Sequence, residues 1–244
     1  MNLVLFTEDE STRPLPRTDP RYHHVLRVLG RKVGDTFDAG LLNGPRGKAR
    51  LVAVDDHALS LAFAWEAPPP PLPGLILLVG LPRPQTARDI LRDATTLGAT
   101  AIHFVRTARS DPNYAASSLW HSGEWQRHLI IGAEQAFDTR VPAVTWTHPL
   151  DEALAALPAH RARYALDLYE APHSLGHALR THPTGDTVVA LGPERGWDSE
   201  DRRHLRAAGF SLVHLGARVL RTETAVVAAL AVLRAAALAA EDAP

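Results

Sequence analysis

Beyond residue 74, short apolar runs alternate with segments whose apolar positions recur at helical spacing. The runs GLILLVGL, AIHFV, RYALDL, TVVALG and FSLVHLG are apolar over almost their whole length, as strands buried on both faces are. Between the first two, TARDILRDATTLG has apolar residues at helical spacing and ends at Gly98. This alternation predicts an α/β domain with a mostly parallel sheet that helices cover on both faces.

The remaining segments of this region continue the alternation. SSLWHSGEWQRHLIIGAEQAF is predicted as one longer helix, AVTWT as a short strand, and DEALAAL and SLGHALRTH as helices. After LGPERGW, Asp198 is the predicted N-cap of a helix, with Asp201 three residues on as in a capping box, and Gly209 at its end. The segment AVVAALAVLRAAALAAE predicts a final, Ala-rich helix.

The first 67 residues have the pattern of a different architecture. LVLF, TFDAGLL, KARLVAVDD and LSLAFAW are short, partly alternating segments broken by turn residues, and YHHVLRVLG predicts a short helix that stops at Gly30. We therefore predict a small β-barrel over residues 1–67. Four consecutive prolines favour a stiff connector at 68–74, followed by the α/β domain at 75–244.

Composition narrows the chemistry that this chain can perform. The 244 residues are 45% hydrophobic and 22% charged, as in a globular protein, and they include no cysteine. Thiolate nucleophiles, disulfides and cysteine-ligated metals are therefore excluded, and the thirteen histidines form no HExxH or close carboxylate cluster, so no metal is expected. The acidic start MNLVLFTEDE is no signal peptide, and no apolar run reaches about 18 residues, so we expect a cytoplasmic protein without a membrane span.

The formal net charge of −1 hides a local excess of positive charge near the N-terminus. Residues 13–50 contain nine Lys or Arg against three acids. Either this is a phosphate-binding face, or it is a solvated face whose acidic partners come from elsewhere in the fold. The residues that we assign to RNA binding are Arg21, Arg27, Arg31 and Lys32, together with Arg109 further along the chain.

Two polar segments follow predicted strands and carry the candidate chemistry. They are LGPERGWDSED at 191–201 and LGARVLRTETA at 215–225. Their glycines either let the backbone approach a ligand beyond the carboxyl ends of the strands or only make turns. Thr222 and Glu223 suit a helix start, but a cation such as Arg218 or Arg221 is unfavourable there without an anionic partner. The chain has no GxGxxG, no P-loop and no GxSxG motif.

These segments resemble the motifs of a known family. LGPERGWDSE is similar to IGPEGGFSxxE, and LGARVLRTETA is similar to LGxRILRxETA, both from the SPOUT-class, trefoil-knotted methyltransferases that act on the uracil N3 of a 16S ribosomal RNA uridine. HHVLRVLGRKVGD, ATTLGATAIHFVRTARS and IGAEQAFDTRVP also resemble segments of that family, so the resemblance runs nearly end to end. It implies a PUA-like β-barrel followed by a knotted α/β domain, a homodimer, an S-adenosylmethionine cofactor and a ribosomal RNA partner.

The resemblance also implies which residues form the site. The implied cofactor residues are Leu191, Gly192, Glu194, Gly196, Leu215, Gly216, Leu220, Thr222 and Ala225, with Val79 and Gly80 as weaker members. Arg221 or Arg218 would stabilise a uracil anion, and Glu194 or Glu223 would orient the base or accept its proton. Alternatively, both glutamates only hold arginines in place.

Three positions depart from the motifs of this family. Arg195 replaces the second glycine of GPEGG and would be strained at a positive φ, and Asp93 and Thr96 replace a lysine and a glutamate. They leave open a related enzyme that methylates another RNA site. A non-catalytic RNA-binding protein built on the barrel is a further alternative, which predicts no cofactor binding.

Overall fold

The computed structural model describes residues 3–159, 161–181 and 185–241. The chain forms two compact units. Met1–Pro71 with Ala133–Val141 makes the first, and Leu72–Gly132 with Pro142–Pro244 makes the second. The first unit thus includes a segment from the middle of the region that we predicted as the α/β domain.

The first unit is built on a curled five-stranded mixed sheet. In chain order, its elements are β1 (Val4–Phe6), β2 (Leu15–Pro16), α1 (Pro20–His23), β3 (Thr36–Leu41), β4 (Arg46–Val54) and β5 (Ala58–Trp65). The strand order is β1-β3-β4-β5-β2, with β1 parallel to β3 and the other pairs antiparallel. The predicted barrel is therefore a half-barrel. Its end strands are only two or three residues long, and Pro16 has no N–H with which to extend a ladder.

Apolar side chains on the inner face of this sheet make the core of the first unit. Burial alternates along β4, where Gly47, Ala49 and Leu51 point inward. The predicted helix at YHHVLRVLG forms as α1 followed by a single π-helical stretch at His24–Val28, and Gly30 has φ 64°. Buried Tyr22 and Val25 from these turns pack on the same core.

The segment Ala133–Val141 completes the free edge of this sheet. The Leu5 N–H of β1 donates to Glu134 Oε1 over 3.1 Å, and burial raises the pKa of that carboxyl. Fully buried Thr139 donates its hydroxyl to the Gly44 carbonyl at 2.6 Å. A residue larger than glycine at position 40 would collide with Thr139, because its Cβ would lie 2.5 Å from the Thr139 methyl carbon. These hydrogen bonds therefore join residues about 90 to 130 positions apart in the sequence.

The second unit contains seven parallel strands and seven α-helices among its described residues. They are β6 (Leu75–Gly80), α2 (Pro84–Thr96), β7 (Ala101–Val105), α3 (Ser118–His121), α4 (Glu124–Gln135, whose last residues belong to the first unit), β8 (Ala143–Thr145), α5 (Leu150–Ala155), β9 (Ala162–Leu166), β10 (His173–Ser174), α6 (Leu175–Thr181), β11 (Thr187–Leu191), α7 (Ser199–Ala207), β12 (Ser211–His214) and α8 (Thr222–Glu241).

The strand order of the parallel sheet sets where a ligand can bind. It is β10-β12-β9-β11-β6-β7-β8, with β11 fully buried in the middle. The chain runs from β6 to β8 in one direction, then returns to β9 and inserts β11 beside β6. The carboxyl ends of β9, β11 and β12 consequently lie together, next to the point at which the strand order reverses.

Most elements of this unit form where the apolar pattern predicted them. One predicted helix needs correction, and one short strand was missed. The predicted longer helix breaks into α3 and α4, because Gly123 between them has φ 77°. The two-residue strand β10 was not predicted. The capping box is confirmed, since the Asp198 carboxylate accepts the Asp201 N–H and the Asp201 carboxylate accepts the Asp198 N–H.

Helix α8 is long and apolar enough, by length and composition, to cross a membrane. Core helices of soluble proteins meet the same criterion. In the second unit α8 packs against α2, α6 and β11, and Val226, Ala229, Leu230 and Leu233 on this helix are buried.

Arg21 forms a cluster of ion pairs and hydrogen bonds in the first unit. Its guanidinium donates to Glu10, to Asp19 and to the Leu5 carbonyl, and all three charged side chains are at most 26% exposed. We expect Arg21→Ala to lower the free energy of unfolding of this unit by about 2 kcal/mol, because two half-buried carboxylates lose their partner. Hydrogen exchange of amides in β1 and β3 measures the change. Arg13→Ala is the control, since Arg13 pairs with Asp9 at a site where both side chains are more than 60% exposed, and its effect should be near zero.

This stabilisation depends on pH in a defined direction. The hydrogen bond from Arg21 lowers the pKa of Glu10 from 4.5 to about 2. A lowered folded-state pKa stabilises the protein fully above pH 4.5, and the contribution is lost as the pH falls towards 2. The difference between wild type and Arg21→Ala should therefore shrink over that interval, and a constant difference would contradict the assignment.

Candidate functional site

A cavity of about 670 Å³ opens at the carboxyl ends of β9, β11 and β12. Its walls are the two segments that the sequence singled out, together with the loop after β9 and the start of α2. The residues predicted for the site that line it are Leu191, Gly192, Glu194, Gly196, Leu215, Gly216, Arg218, Leu220, Arg221, Thr222, Glu223 and Ala225. Val79 and Gly80 do not line it.

Gly80 instead allows the loop after β11 to pass close to the end of β6. A Cβ at position 80 would lie 2.3 Å from Pro193 Cδ, and one at position 192 would lie 2.8 Å from the Gly196 Cα. Real side chains do not tolerate such distances, so glycine is required at both positions. This tight path places the loop backbone against the cavity.

Two hydrogen bonds join this loop to neighbouring elements. Arg109 donates from Nη1 to the Arg195 carbonyl at 2.8 Å. Within the loop, Glu194 Oε1 accepts the N–H of Arg83, the N-cap residue just before α2, at 2.9 Å. The Glu194 carboxylate thus fixes the loop to a helix start, where its charge is favourable.

The strain anticipated for Arg195 does not arise. The positive φ of this loop falls on Gly196, at 67°, and Arg195 is not among the described residues with a positive φ. A Cβ at Gly196 would meet nothing within 4 Å. The Arg195 side chain is exposed to solvent.

The loop after β12 presents unpartnered cations. Gly216 has φ 109°, and its N–H donates to His214 Nδ1 at 3.1 Å. Arg218 and Arg221 are exposed, and neither guanidinium has a hydrogen bond or ion pair with any described residue. Helix α8 begins at Thr222, as the sequence suggested, and Arg221 is the residue that precedes its first turn.

The floor of the cavity contains a buried ion pair that sequence reasoning missed. Arg202 Nε donates to Asp167 Oδ2 at 2.7 Å, and their side chains are only 9% and 2% exposed. Asp167 Oδ1 also accepts the N–H groups of Tyr169 and Glu170. The sequence analysis placed Asp167 inside the predicted strand RYALDL, whereas the strand ends at Leu166, and nothing in the sequence indicated its partner on α7.

Trp197 ties the floor of the cavity to β9. Its side chain is 1% exposed, and its indole N–H donates to the Leu166 carbonyl at 3.0 Å. Trp197 also packs in the core cluster with Leu205 and Phe210. The cavity therefore rests on a rigid support.

The arginines and lysine predicted to contact RNA fall into different environments. Arg21 uses all five guanidinium N–H groups within the first unit, so we correct its assignment to a structural role. Arg27 and Lys32 are exposed, and their side chains have no partner within the described ranges. Arg31 is half-buried, with an unpartnered Nε. Arg109, in the second unit, donates a hydrogen bond from its guanidinium to the Arg195 carbonyl.

No group of three or more His, Asp or Glu side chains suited to a metal ion occurs in the part of the chain that the structure describes.

We expect Arg202→Met to destabilise the second unit by about 3 kcal/mol, because it leaves the buried Asp167 carboxylate without its cation. Urea unfolding measures the loss. Arg203→Met is a matched control on the same helix, since Arg203 pairs with Glu200 where both side chains are at least 60% exposed, and it should change stability by less than about 0.5 kcal/mol. Equal effects of the two substitutions would contradict a structural role for the buried pair.

Comparisons with known proteins agree with this architecture. The family model of the RNA methyltransferase domain matches residues 68–234. A ribosomal RNA small subunit methyltransferase E from Treponema pallidum is 36% identical over 251 residues, covering 96% of this chain and 91% of that protein. A second relative of that name, from Borreliella burgdorferi, is 26% identical and covers 94% of this chain and 95% of its own length.

Solved structures show the same fold. The ribosomal RNA small subunit methyltransferase E of Neisseria gonorrhoeae, crystallised with S-adenosyl methionine, has a TM-score of 0.80 at 28% identity, over 96% of this chain and 97% of that one. A putative methyltransferase of Legionella pneumophila in complex with the same cofactor has a TM-score of 0.77 at 22% identity, over 97% and 98%. The predicted fold class, with a SPOUT-type α/β unit, is confirmed. The chain belongs to the RNA methyltransferase family, and its relatives include the ribosomal RNA small subunit methyltransferases E.

Proposed function

We propose that this protein transfers a methyl group from S-adenosylmethionine to N3 of a uridine in the 16S ribosomal RNA of the small subunit. The observation that carries the proposal is the convergence of both motif segments on one cavity. The names of its relatives support a ribosomal RNA substrate, and the cofactor-bound structures of similar proteins support the methyl donor. The choice of uracil N3 rests on the two motifs.

The cavity suits S-adenosylmethionine. Its volume is within the range of about 300–1,000 Å³ for small-molecule sites. Cβ atoms at Gly196 and Gly216 would project into open space, so both backbones leave room for a ligand. Leu191, Leu215 and Leu220 supply apolar wall beside them. Bound there, the cofactor provides a methyl group made electrophilic by its sulfonium.

The remaining chemistry falls to the side chains at the cavity mouth. Uracil N3 is a weak acid, so its methylation needs a group that accepts the proton or stabilises the anion. In this proposal Arg221 pairs with the developing uracil anion and Arg218 assists it, because both guanidiniums lack a protein partner. Binding of the anion also supplies the partner that a cation at the start of α8 otherwise lacks.

The two glutamates have different roles in this proposal. Glu194 Oε1 is occupied by the Arg83 N–H, so Glu194 positions the loop. Glu223 is half-buried on the cavity wall without a hydrogen-bond partner within the described ranges. We assign Glu223 to orient the base and accept its proton.

The proposal also includes the remaining partners implied by the resemblance. Residues 1–67 serve as an RNA-binding domain joined through 68–74 to the methyltransferase domain at 75–244, with Arg27, Arg31 and Lys32 facing phosphates. The protein acts as a homodimer, and a ribosomal RNA substrate gives it a cytoplasmic location. Sedimentation at micromolar concentration tests the dimer.

Mass mapping of 16S ribosomal RNA from a deletion strain tests the function directly. We expect one uridine to lose a methyl group at N3 and to regain it when the purified protein and S-adenosylmethionine are added. Calorimetry adds an independent measurement of cofactor binding. An unchanged methylation pattern refutes the assigned reaction, and an absence of cofactor binding leaves only a non-catalytic RNA-binding role.

We expect Arg221→Ala to lower kcat about 100-fold, the loss typical for removal of one group that stabilises a developing anion. Cofactor affinity and thermal stability should stay close to wild type, since Arg221 is exposed and makes no side-chain hydrogen bond with a described residue. Arg127→Ala is the control, because Arg127 is an exposed and equally unpartnered arginine on α4, outside the cavity. Normal turnover by the Arg221 variant would remove its proposed role.

A further inference from the structure

Tyr169 is unusual among the aromatic residues of this protein. Its side chain lines the mouth of the cavity, yet the residue is 81% exposed. Every other aromatic residue in the described ranges is buried or half-buried. A large ring held in water adds no apolar burial to folding, and its place in the cavity lining makes it available to a ligand.

The backbone that carries this ring is fixed. Asp167 Oδ1 accepts the N–H groups of Tyr169 at 2.8 Å and Glu170 at 2.6 Å. The same carboxylate is anchored through its other oxygen to Arg202, which is itself buried. The ring is therefore exposed on a backbone segment that hydrogen bonds hold in place.

One face of the ring is already occupied. The Arg202 guanidinium carbon lies 5.5 Å from the centroid of the Tyr169 ring, within cation–π distance. The high exposure of the residue leaves the opposite face open. A buried cation beneath and an open face above make a flat platform at the cavity mouth.

The charges around this platform select its ligand. Four arginines line the same cavity with guanidiniums that have no partner among the described side chains, namely Arg83, Arg195, Arg218 and Arg221. Unpaired cations favour a polyanion, and an open aromatic face favours a planar ring. A nucleotide in single-stranded or locally unpaired RNA offers both, a phosphate on each side and a base that stacks.

We propose that Tyr169 stacks on an unpaired base of the RNA substrate at the cavity mouth, and that Asp167 and Arg202 are positioning residues that hold the ring. This inference rests on the proposed function, because an enzyme that modifies a base must first take it out of the helical stack. Stacking on Tyr169 stabilises the extruded base beside Arg218 and Arg221. The adenine of the cofactor is the rival occupant of the ring face, and the test separates the two.

The test compares Tyr169→Phe, Tyr169→Leu and Tyr169→Ala with the wild-type protein. Phenylalanine keeps the stacking face, whereas leucine keeps apolar bulk without an aromatic ring. Since the side chain is exposed, none of the three should impair folding, which thermal unfolding verifies. Three quantities are measured on each protein: the Kd for S-adenosylmethionine, the Kd of cofactor-saturated protein for fluorescein-labelled oligouridylate, and KM and kcat on small-subunit ribosomal RNA.

We expect Tyr169→Phe to match wild type. Tyr169→Leu and Tyr169→Ala should weaken oligouridylate binding and raise KM for ribosomal RNA about tenfold, as loss of base stacking does. Their kcat should stay within about twofold of wild type, because the contact binds ground state and transition state alike. The cofactor Kd should not change.

Other results overturn the proposal. Unchanged RNA binding and KM in Tyr169→Ala would show that the ring stacks on no base. A weakened cofactor Kd with unchanged oligouridylate binding would place the ring against the adenine. Failure of the wild-type protein to methylate ribosomal RNA would refute the proposed function, and the oligouridylate measurements would still decide whether Tyr169 stacks on RNA.

Discussion

The close passage of one backbone segment over another is the constraint on which the second unit depends. At the end of β6, Gly80 lies so near Pro193 that a Cβ would be 2.3 Å from the proline ring, and the turn that follows closes with Gly192 against Gly196. No side chain can enter either contact. The cavity beside the loop after β11 is lined partly by glycine backbone. Arg109 holds this loop from outside through the Arg195 carbonyl, and Glu194 within the loop accepts the Arg83 N–H.

Periodicity predicted most of the regular elements because buried parallel strands and amphipathic helices leave strong local signals. One of the failures has a local cause, and two have non-local causes. The break at Gly123 depends on a backbone conformation that a helical pattern does not disclose. The inclusion of Ala133–Val141 in the first unit depends on contacts such as Glu134 with Leu5, 129 positions away. Likewise, Asp167 lay inside a predicted strand, and its ion pair with Arg202, 35 positions away, leaves no local signal.

The candidate site was predicted more fully than its surroundings because its residues are contiguous in two motifs. Twelve of the predicted residues line the cavity, whereas Val79 and Gly80 do not, and Gly80 lies against Pro193 of the loop that lines it. The positions of arginines in the sequence do not show which of them form ion pairs within the fold and which remain able to bind a ligand. Arg21 pairs with two half-buried carboxylates and Arg202 with a buried one, while Arg218 and Arg221 have no partner within the described ranges. Only geometry distinguishes the two classes, and this distinction assigns Arg21 to the fold.

The non-contiguous makeup of the first unit has a consequence for how the chain folds during synthesis. Residues 1–71 leave the ribosome first, yet Leu5 of β1 and the carbonyl of Gly44 lack their partners until Glu134 and Thr139 follow. At a synthesis rate of about 5–20 residues per second, the interval is about 3–14 seconds. Throughout that time an exposed edge of the nascent sheet is open to other strands. The first unit can therefore complete its folding only after residues 133–141 have been synthesised.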